Sequence, residues 1–87
     1  MQVKTEGELT LQLYGRNYCH LCTDMLEALK AQSFGLPLHI EWIDLDDHEE
    51  WEPLYGEHIP VLKWGEFEIC RHRLDEAALG AFLARFS

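Results

Sequence analysis

Leu9, Leu11 and Leu13 alternate with Thr10, Gln12 and Tyr14, and this period of two predicts a strand with one face on a core. After a loop over Gly15 to Tyr18, the apolar residues Leu21, Met25, Leu26 and Leu29 recur at helical spacing, and Gly35 followed by Pro37 is a stop signal. A helix is therefore predicted from about His20 to Ser33. Leu38, Ile40 and Trp42 then alternate with His39 and Glu41, a second strand. The long helix between the strands permits a right-handed crossover that lays them parallel, which makes a βαβ unit.

Further along, Asp46 with Glu49 three positions later has the form of a capping box for a short helix. Two short apolar-rich runs, Val61 to Trp64 and Phe67 to Arg71, are joined by Gly65-Glu66, a Gly-first pair suited to a two-residue type II′ hairpin turn. Leu79, Phe82, Leu83 and Phe86 fall at i, i+3, i+4 and i+7, with Asp75 as the expected N-cap of a final helix and Leu74 placed to staple against Leu79. The predicted fold class is α/β, a mixed four-stranded sheet covered by helices.

The chain has 87 residues, room for one domain, expected to span 1–87, and one modest core. Apolar residues make up 47% of it, which is globular composition without low-complexity stretches. The net charge of −9 argues against nucleic acid or an anionic membrane as partner, since both are bound chiefly through clustered Lys and Arg. Six of the acidic residues fall between Asp44 and Glu52 and read as a solvated face. Met1 to Glu8 lack the apolar core of a signal peptide, and no run approaches a membrane span, so the expected location is the cytoplasm.

Three cysteines are an odd number, and two of them are three positions apart in Cys19-His20-Leu21-Cys22, too close to staple a secreted mini-domain. The pair sits where the first strand ends and the first helix begins. The sulfur of Cys19 should therefore lie beside the unpaired N–H groups of the first turn, which stabilise a thiolate. Arg16, His20 and the helix dipole all push the Cys19 thiol below the ~8.5 of a free cysteine. Salt screens the distant negative charges over roughly 8 Å, so these local groups outweigh the net charge. Cys22, one turn on, can attack a mixed disulfide at Cys19 and close an intramolecular disulfide. Two other readings remain open for the pair: packing residues on the helix, or a metal or cluster site. The latter needs four ligands where the motif supplies two; Cys70, His20, His58 and His72 lack ligand spacing, and no metal site is expected.

The order of elements, the Cys19-His20-Leu21-Cys22 motif and the Ile59-Pro60 dipeptide just before the third strand together resemble the thioredoxin fold, in particular the short glutaredoxin-like proteins of bacteria. The likeness runs from about Leu9 to Phe86. It implies that Pro60 is a cis-proline facing the dithiol, that Ile59 offers its backbone to an extended substrate, and that Tyr18 covers one wall of the substrate groove. His58, beside this proline, borders the same place. Typical glutaredoxins resemble Cys-Pro-Tyr-Cys, Thr-Val-Pro and a Gly-Gly pair before the last helix. This chain has Cys19-His20-Leu21-Cys22, His58-Ile59-Pro60 and Arg73-Leu74-Asp75 instead. Loss of the glycines removes a close backbone approach to the γ-glutamyl carboxylate of glutathione. Arg71 and Arg73, expected to share a face at the end of the fourth strand, could pair with that carboxylate in their place, although two basic residues there are more often a solvated rim.

The expected function is a dithiol thiol-disulfide oxidoreductase in which Cys19 attacks a protein or glutathione mixed disulfide and Cys22 resolves it, with Tyr18, His20, Ile59, Pro60, Arg71 and Arg73 on the substrate side. It requires no bound cofactor; glutathione or a reductase would be the electron donor, and the chain is expected to act as a monomer. A histidine at position 20 should favour the thiolate and shift the potential upward within the roughly −270 to −120 mV range of such proteins. The rival is a non-enzymatic metal or iron–sulfur carrier, or an interaction module with a silent dithiol. Cys70 is expected to be a small buried hydrophobe, and Trp42, Trp51 and Trp64 to supply packing area.

Overall fold

A computed structural model describes residues 9–31 and 38–86. Its strands and helices follow one another as β1 (Leu9–Gly15), α1 (His20–Ala31), β2 (Leu38–Asp44), α2 (Glu52–Tyr55), β3 (Val61–Trp64), β4 (Phe67–Arg71) and α3 (Glu76–Leu83). The four strands form one sheet in the order β2-β1-β3-β4. β1 and β2 are parallel across seven residue pairs from Leu9↔Leu38 to Gly15↔Asp44, whereas β3 runs antiparallel to both β1 and β4. The expected stop signal at Gly35 and Pro37, the end of the predicted helix at Ser33, and Met1 to Glu8 lie outside the described residues.

The main core lies between the sheet and helices α1 and α3. Leu11 and Leu13 of β1, Met25 and Leu29 of α1, Leu62 of β3, and Leu79, Phe82 and Leu83 of α3 are buried together. Those helical residues recur at spacings of three and four, which turns one stripe of each helix toward the sheet. α3 starts where Asp75 accepts a hydrogen bond from the Ala78 N–H at 2.9 Å, the expected N-cap, and Leu74 packs on the same core. Phe86, expected on this face, falls in a 3-10 turn closing the helix. A second cluster covers the opposite face, with Tyr14, Leu45, Tyr55 and Val61 buried and Ile43, Trp51 and Ile59 packed against them. Both faces of β1 are thus covered, so Tyr14 is buried as well as Leu13 and the alternation that marks a half-buried strand breaks down at its end.

Two local expectations change. Gly15 belongs to β1 rather than to the loop. The segment after β2 forms two short 3-10 turns, Leu45–Asp47 and Glu49–Trp51, ahead of α2; its cap is Asp44, whose side chain accepts from the Asp46 N–H at 2.9 Å, so no Asp46–Glu49 capping box forms. Asp44 wins because it is still extended and its short carboxylate reaches the N–H two residues on. In the hairpin, Gly65 has φ +58° between the paired Trp64 and Phe67, the left-handed first position that a II′ turn requires. The register then shifts by one between Leu62↔Cys70 and Lys63↔Glu68, leaving Ile69 as an extra residue in β4. This bulge turns two successive side chains, Ile69 and Cys70, inward, which places Cys70 in the core as a buried free cysteine.

Candidate active site

The end of β1 and the head of α1 bring the two motif cysteines together. Cys19 and Cys22 are joined as a disulfide with Cα atoms 5.2 Å apart. Cys19 is the residue preceding α1, and its Sγ accepts a hydrogen bond from the Cys22 backbone N–H at 3.2 Å, so it occupies the place of an N-cap side chain and meets one of the orphan donors of the first turn. The two sulfurs have different surroundings: Cys22 is wholly buried, whereas Cys19 is half-buried.

Gly15 makes this asymmetry possible. A Cβ placed on it would lie 2.9 Å from Cys22 Cβ, 2.9 Å from Cys22 Sγ and 2.9 Å from Cη2 of Trp42, so only a residue without a side chain lets the first turn of α1 settle onto the strand end. Local pattern puts Gly15 in the loop and carries no sign of this role beyond its position four residues before Cys19, at the strand-to-helix junction.

The loop that carries Cys19 is tied down residue by residue. Arg16 donates from Nε to Asp46 at 3.1 Å and from its terminal nitrogen to Glu52, Asn17 donates to Asp44 at 3.0 Å, and the Tyr18 hydroxyl lies 3.5 Å from Asp46 Oδ1. The Arg16 carbonyl in turn accepts the Cys19 N–H at 3.2 Å. Arg16 was expected to favour a thiolate at Cys19. Held between two carboxylates, it anchors the loop, and its positive charge is offset where it stands. The acidic segment expected to be only a solvated face is therefore the anchor of the motif loop.

The remaining predicted residues are placed as follows. His20, strongly exposed, has Nε2 3.3 Å from Asp24 Oδ2. Tyr18 is 75% exposed and Leu21 50%, so the residues flanking the dithiol present apolar surface. The Ile59–Pro60 peptide bond is cis, Pro60 is buried, and its carbonyl accepts the His72 N–H at 2.8 Å. His72 has φ +73°, a left-handed conformation that glycine adopts most easily. The rings of His58 and His72 stand edge to face with centroids 5.8 Å apart, although nothing in their spacing marked them as neighbours.

Arg71 and Arg73 are placed differently. Arg71 makes a two-pronged contact with Glu68, at 2.6 Å and 2.7 Å, three residues back along the bulged strand, and so already holds a carboxylate. Arg73 lies beyond the strand and, with Leu21, Asp24, Met25, Ala28, His72 and Leu74, lines a shallow groove between α1 and the β4–α3 connection. Burial pushes the Cys70 thiol up, as suits a packing residue. Among the described residues no cluster of three or more His, Cys, Asp or Glu side chains is disposed to hold a metal ion.

The family model for the glutaredoxin-like domain (DUF836) matches residues 10–84. The chain belongs to this glutaredoxin-like family. Two solved structures share its fold: a protein of Nitrosomonas europaea determined by solution NMR, 33% identical, with a TM-score of 0.72 over 84% of this chain and 88% of that one, and a protein of X. campestris determined by X-ray crystallography, 31% identical, with a TM-score of 0.64 over 86% and 96%. Both are small thioredoxin-like proteins, and the four-stranded mixed sheet of this chain has the same fold. No curated protein matches the sequence at a significant level.

Two outcomes follow from this geometry. Gly15→Ala should lower stability by about 1–3 kcal/mol, the usual cost of overpacking, and expose Cys22 to alkylation in the reduced protein; urea unfolding and thiol labelling report both, and an unchanged protein would mean that the strand end tolerates a side chain. The Arg71 hydrogen bond is the main cause holding the Glu68 carboxyl below its ordinary 4.5, against a smaller upward push from burial. A carboxylate lowered in the folded state contributes stability above its unfolded value and loses it as pH falls through the folded one. The small stability gap between wild type and Arg71→Gln, measured by urea unfolding, should therefore be present at about pH 7 and shrink toward about pH 3.

Proposed function

We propose that this glutaredoxin-like protein is a thiol-disulfide oxidoreductase that works through both cysteines. The observation carrying this reading is the unequal burial of one bonded pair: Cys19 reaches the surface at the head of α1, while Cys22 is enclosed beneath it. In the reduced protein the Cys19 thiolate, facing the Cys22 N–H, attacks the disulfide of a substrate. The substrate's leaving sulfur departs as a thiolate and takes a proton from water. Cys22, having released its proton to solvent, then attacks Cys19 Sγ, closes the Cys19–Cys22 disulfide and expels the second substrate thiolate. Two electrons pass from the dithiol to the substrate, and an external thiol reductant restores the enzyme.

Tyr18 and His20 flank Cys19 along the chain, and the family resemblance adds Ile59 and Pro60; the proposed role of all four is to position substrate. Among the described residues no hydrogen bond engages the Ile59 backbone, which supports its reading as a docking edge for an extended segment. Arg73 is the remaining candidate for a substrate carboxylate, since Arg71 is occupied by Glu68. Protein or glutathione mixed disulfides, with glutathione or a reductase as donor, complete the proposal, in a reducing setting such as the cytoplasm. No helix among the described residues is long and apolar enough to cross a membrane.

A redox titration in glutathione buffers, with thiol trapping and mass spectrometry, tests the reading. The expected result is reversible Cys19–Cys22 disulfide formation at a potential between roughly −270 and −120 mV, and trapping of a mixed disulfide on Cys19 in Cys22→Ser. Absence of a reversible disulfide in the folded protein, or isolation with stoichiometric bound metal, would favour a carrier or interaction role.

A further inference from the structure

The surface a substrate meets around Cys19 is apolar at its centre and negative at its rim. Tyr18 and Leu21, both exposed, flank the dithiol, and Leu21, Ala28 and Leu74 continue the apolar surface along the adjoining groove. Beyond Tyr18 stand Asp46 and Glu52, whose side chains are each 49% exposed, while the Arg16 between them is only 15% exposed. One cation set among two carboxylates leaves a net negative charge, and it is the carboxylates that face solvent. Asp47, Glu49 and Glu50 extend the same exposed run. On the helix side, Asp24 is 55% exposed beside His20. Arg73 supplies positive charge on the opposite wall, but the carboxylates outnumber it, and the chain as a whole carries −9.

We infer that the preferred substrate is a protein disulfide whose reactive cysteine is flanked by Lys or Arg, rather than glutathione disulfide or an acidic segment. The inference rests on the oxidoreductase reading and names its substrate class. Opposite charge across a docking face acts mainly on the encounter rate, which it raises by 10- to 1,000-fold in favourable cases and which salt suppresses. Apolar residues of the same segment would cover Tyr18 and Leu21 while its basic residues reach Asp24 on one side and the Asp46–Glu52 run on the other. Glutathione disulfide is an anion, and the same rim repels it.

The test uses the full reduced protein and two symmetric peptide disulfides of equal length, one with Lys and one with Glu flanking the cysteine. Each single-turnover rate is divided by the rate with dithiothreitol, which removes the effect of the flanking charges on the peptide's own reactivity. The Lys peptide should be reduced at least about tenfold faster at low salt, and the ratio should collapse toward one near 1 M salt, where the screening length falls to about 3 Å. Neutralising exposed rim charges in Asp24→Asn/Glu49→Gln, which leaves the Arg16 contacts intact, should reduce the ratio. A ratio of one or below at low salt, with both peptides reduced, overturns the substrate assignment alone. Failure to reduce either peptide overturns the oxidoreductase reading, and the substrate assignment falls with it.

Discussion

The contact on which the site depends is the one between a helix and the end of a strand that has no side chain. Because Gly15 adds nothing to the surface, the first turn of α1 comes down on β1 until Cys22 is enclosed between strand and Trp42. A dithiol is chemically symmetric, so a protein that uses one sulfur to attack and the other to resolve must break that symmetry by position. Here the break follows from packing. The residue one turn into the helix is buried, and the residue before the helix is half-buried and meets the Cys22 N–H. The same close approach would also hold Cys22 within reach of the Cys19 sulfur once a substrate is attached there, which is the geometric requirement for a fast second step.

The second constraint holds the loop in front of the helix. Arg16, Asn17 and Tyr18 each engage a carboxylate at the end of β2 or in the stretch that follows it, and β2 is the parallel neighbour of β1 through the βαβ crossover. The topology therefore delivers the acidic stretch to the motif loop. It also changes the electrostatics expected there. A cation near Cys19 in sequence is offset by two anions brought from elsewhere in the chain, and His20 similarly acquires Asp24. What remains beside the Cys19 sulfur is the backbone N–H of Cys22, which no surface charge displaces.

Most of the architecture is legible in the sequence because it is written in local periods. The alternation of Leu9, Leu11 and Leu13, the helical spacing of Met25 and Leu29, the turn at Gly65-Glu66 and the cap at Asp75 are each fixed by residues within a few positions, and the hairpin strands end where those signals put them; Leu21, which the same spacing put on that stripe, is exposed instead. The dithiol was legible for the same reason. Features that depend on distant contacts were not. The Ile69 bulge arises from pairing with β3, the proximity of His58 and His72 arises from how two loops meet, and the engagement of Arg71 by Glu68 follows from the bulged end of β4. The Asp46–Glu49 pattern failed because a competing acceptor, Asp44, was already in place at the strand end. Gly15 sits between these cases: its identity was visible, but its reason lies in Cys22 and Trp42, which only the fold brings against it.

The proposed chemistry depends on Cys19 being the attacking sulfur. The most direct measurement is the pH dependence of alkylation of each cysteine in the fully reduced, folded protein, resolved by peptide mass spectrometry. The structure predicts that Cys19 is modified first and titrates below the ~8.5 of a free thiol, while Cys22 and Cys70 stay protected until the protein unfolds. Labelling of Cys22 or Cys70 as fast as Cys19, or a Cys19 that titrates at or above that value, would contradict it.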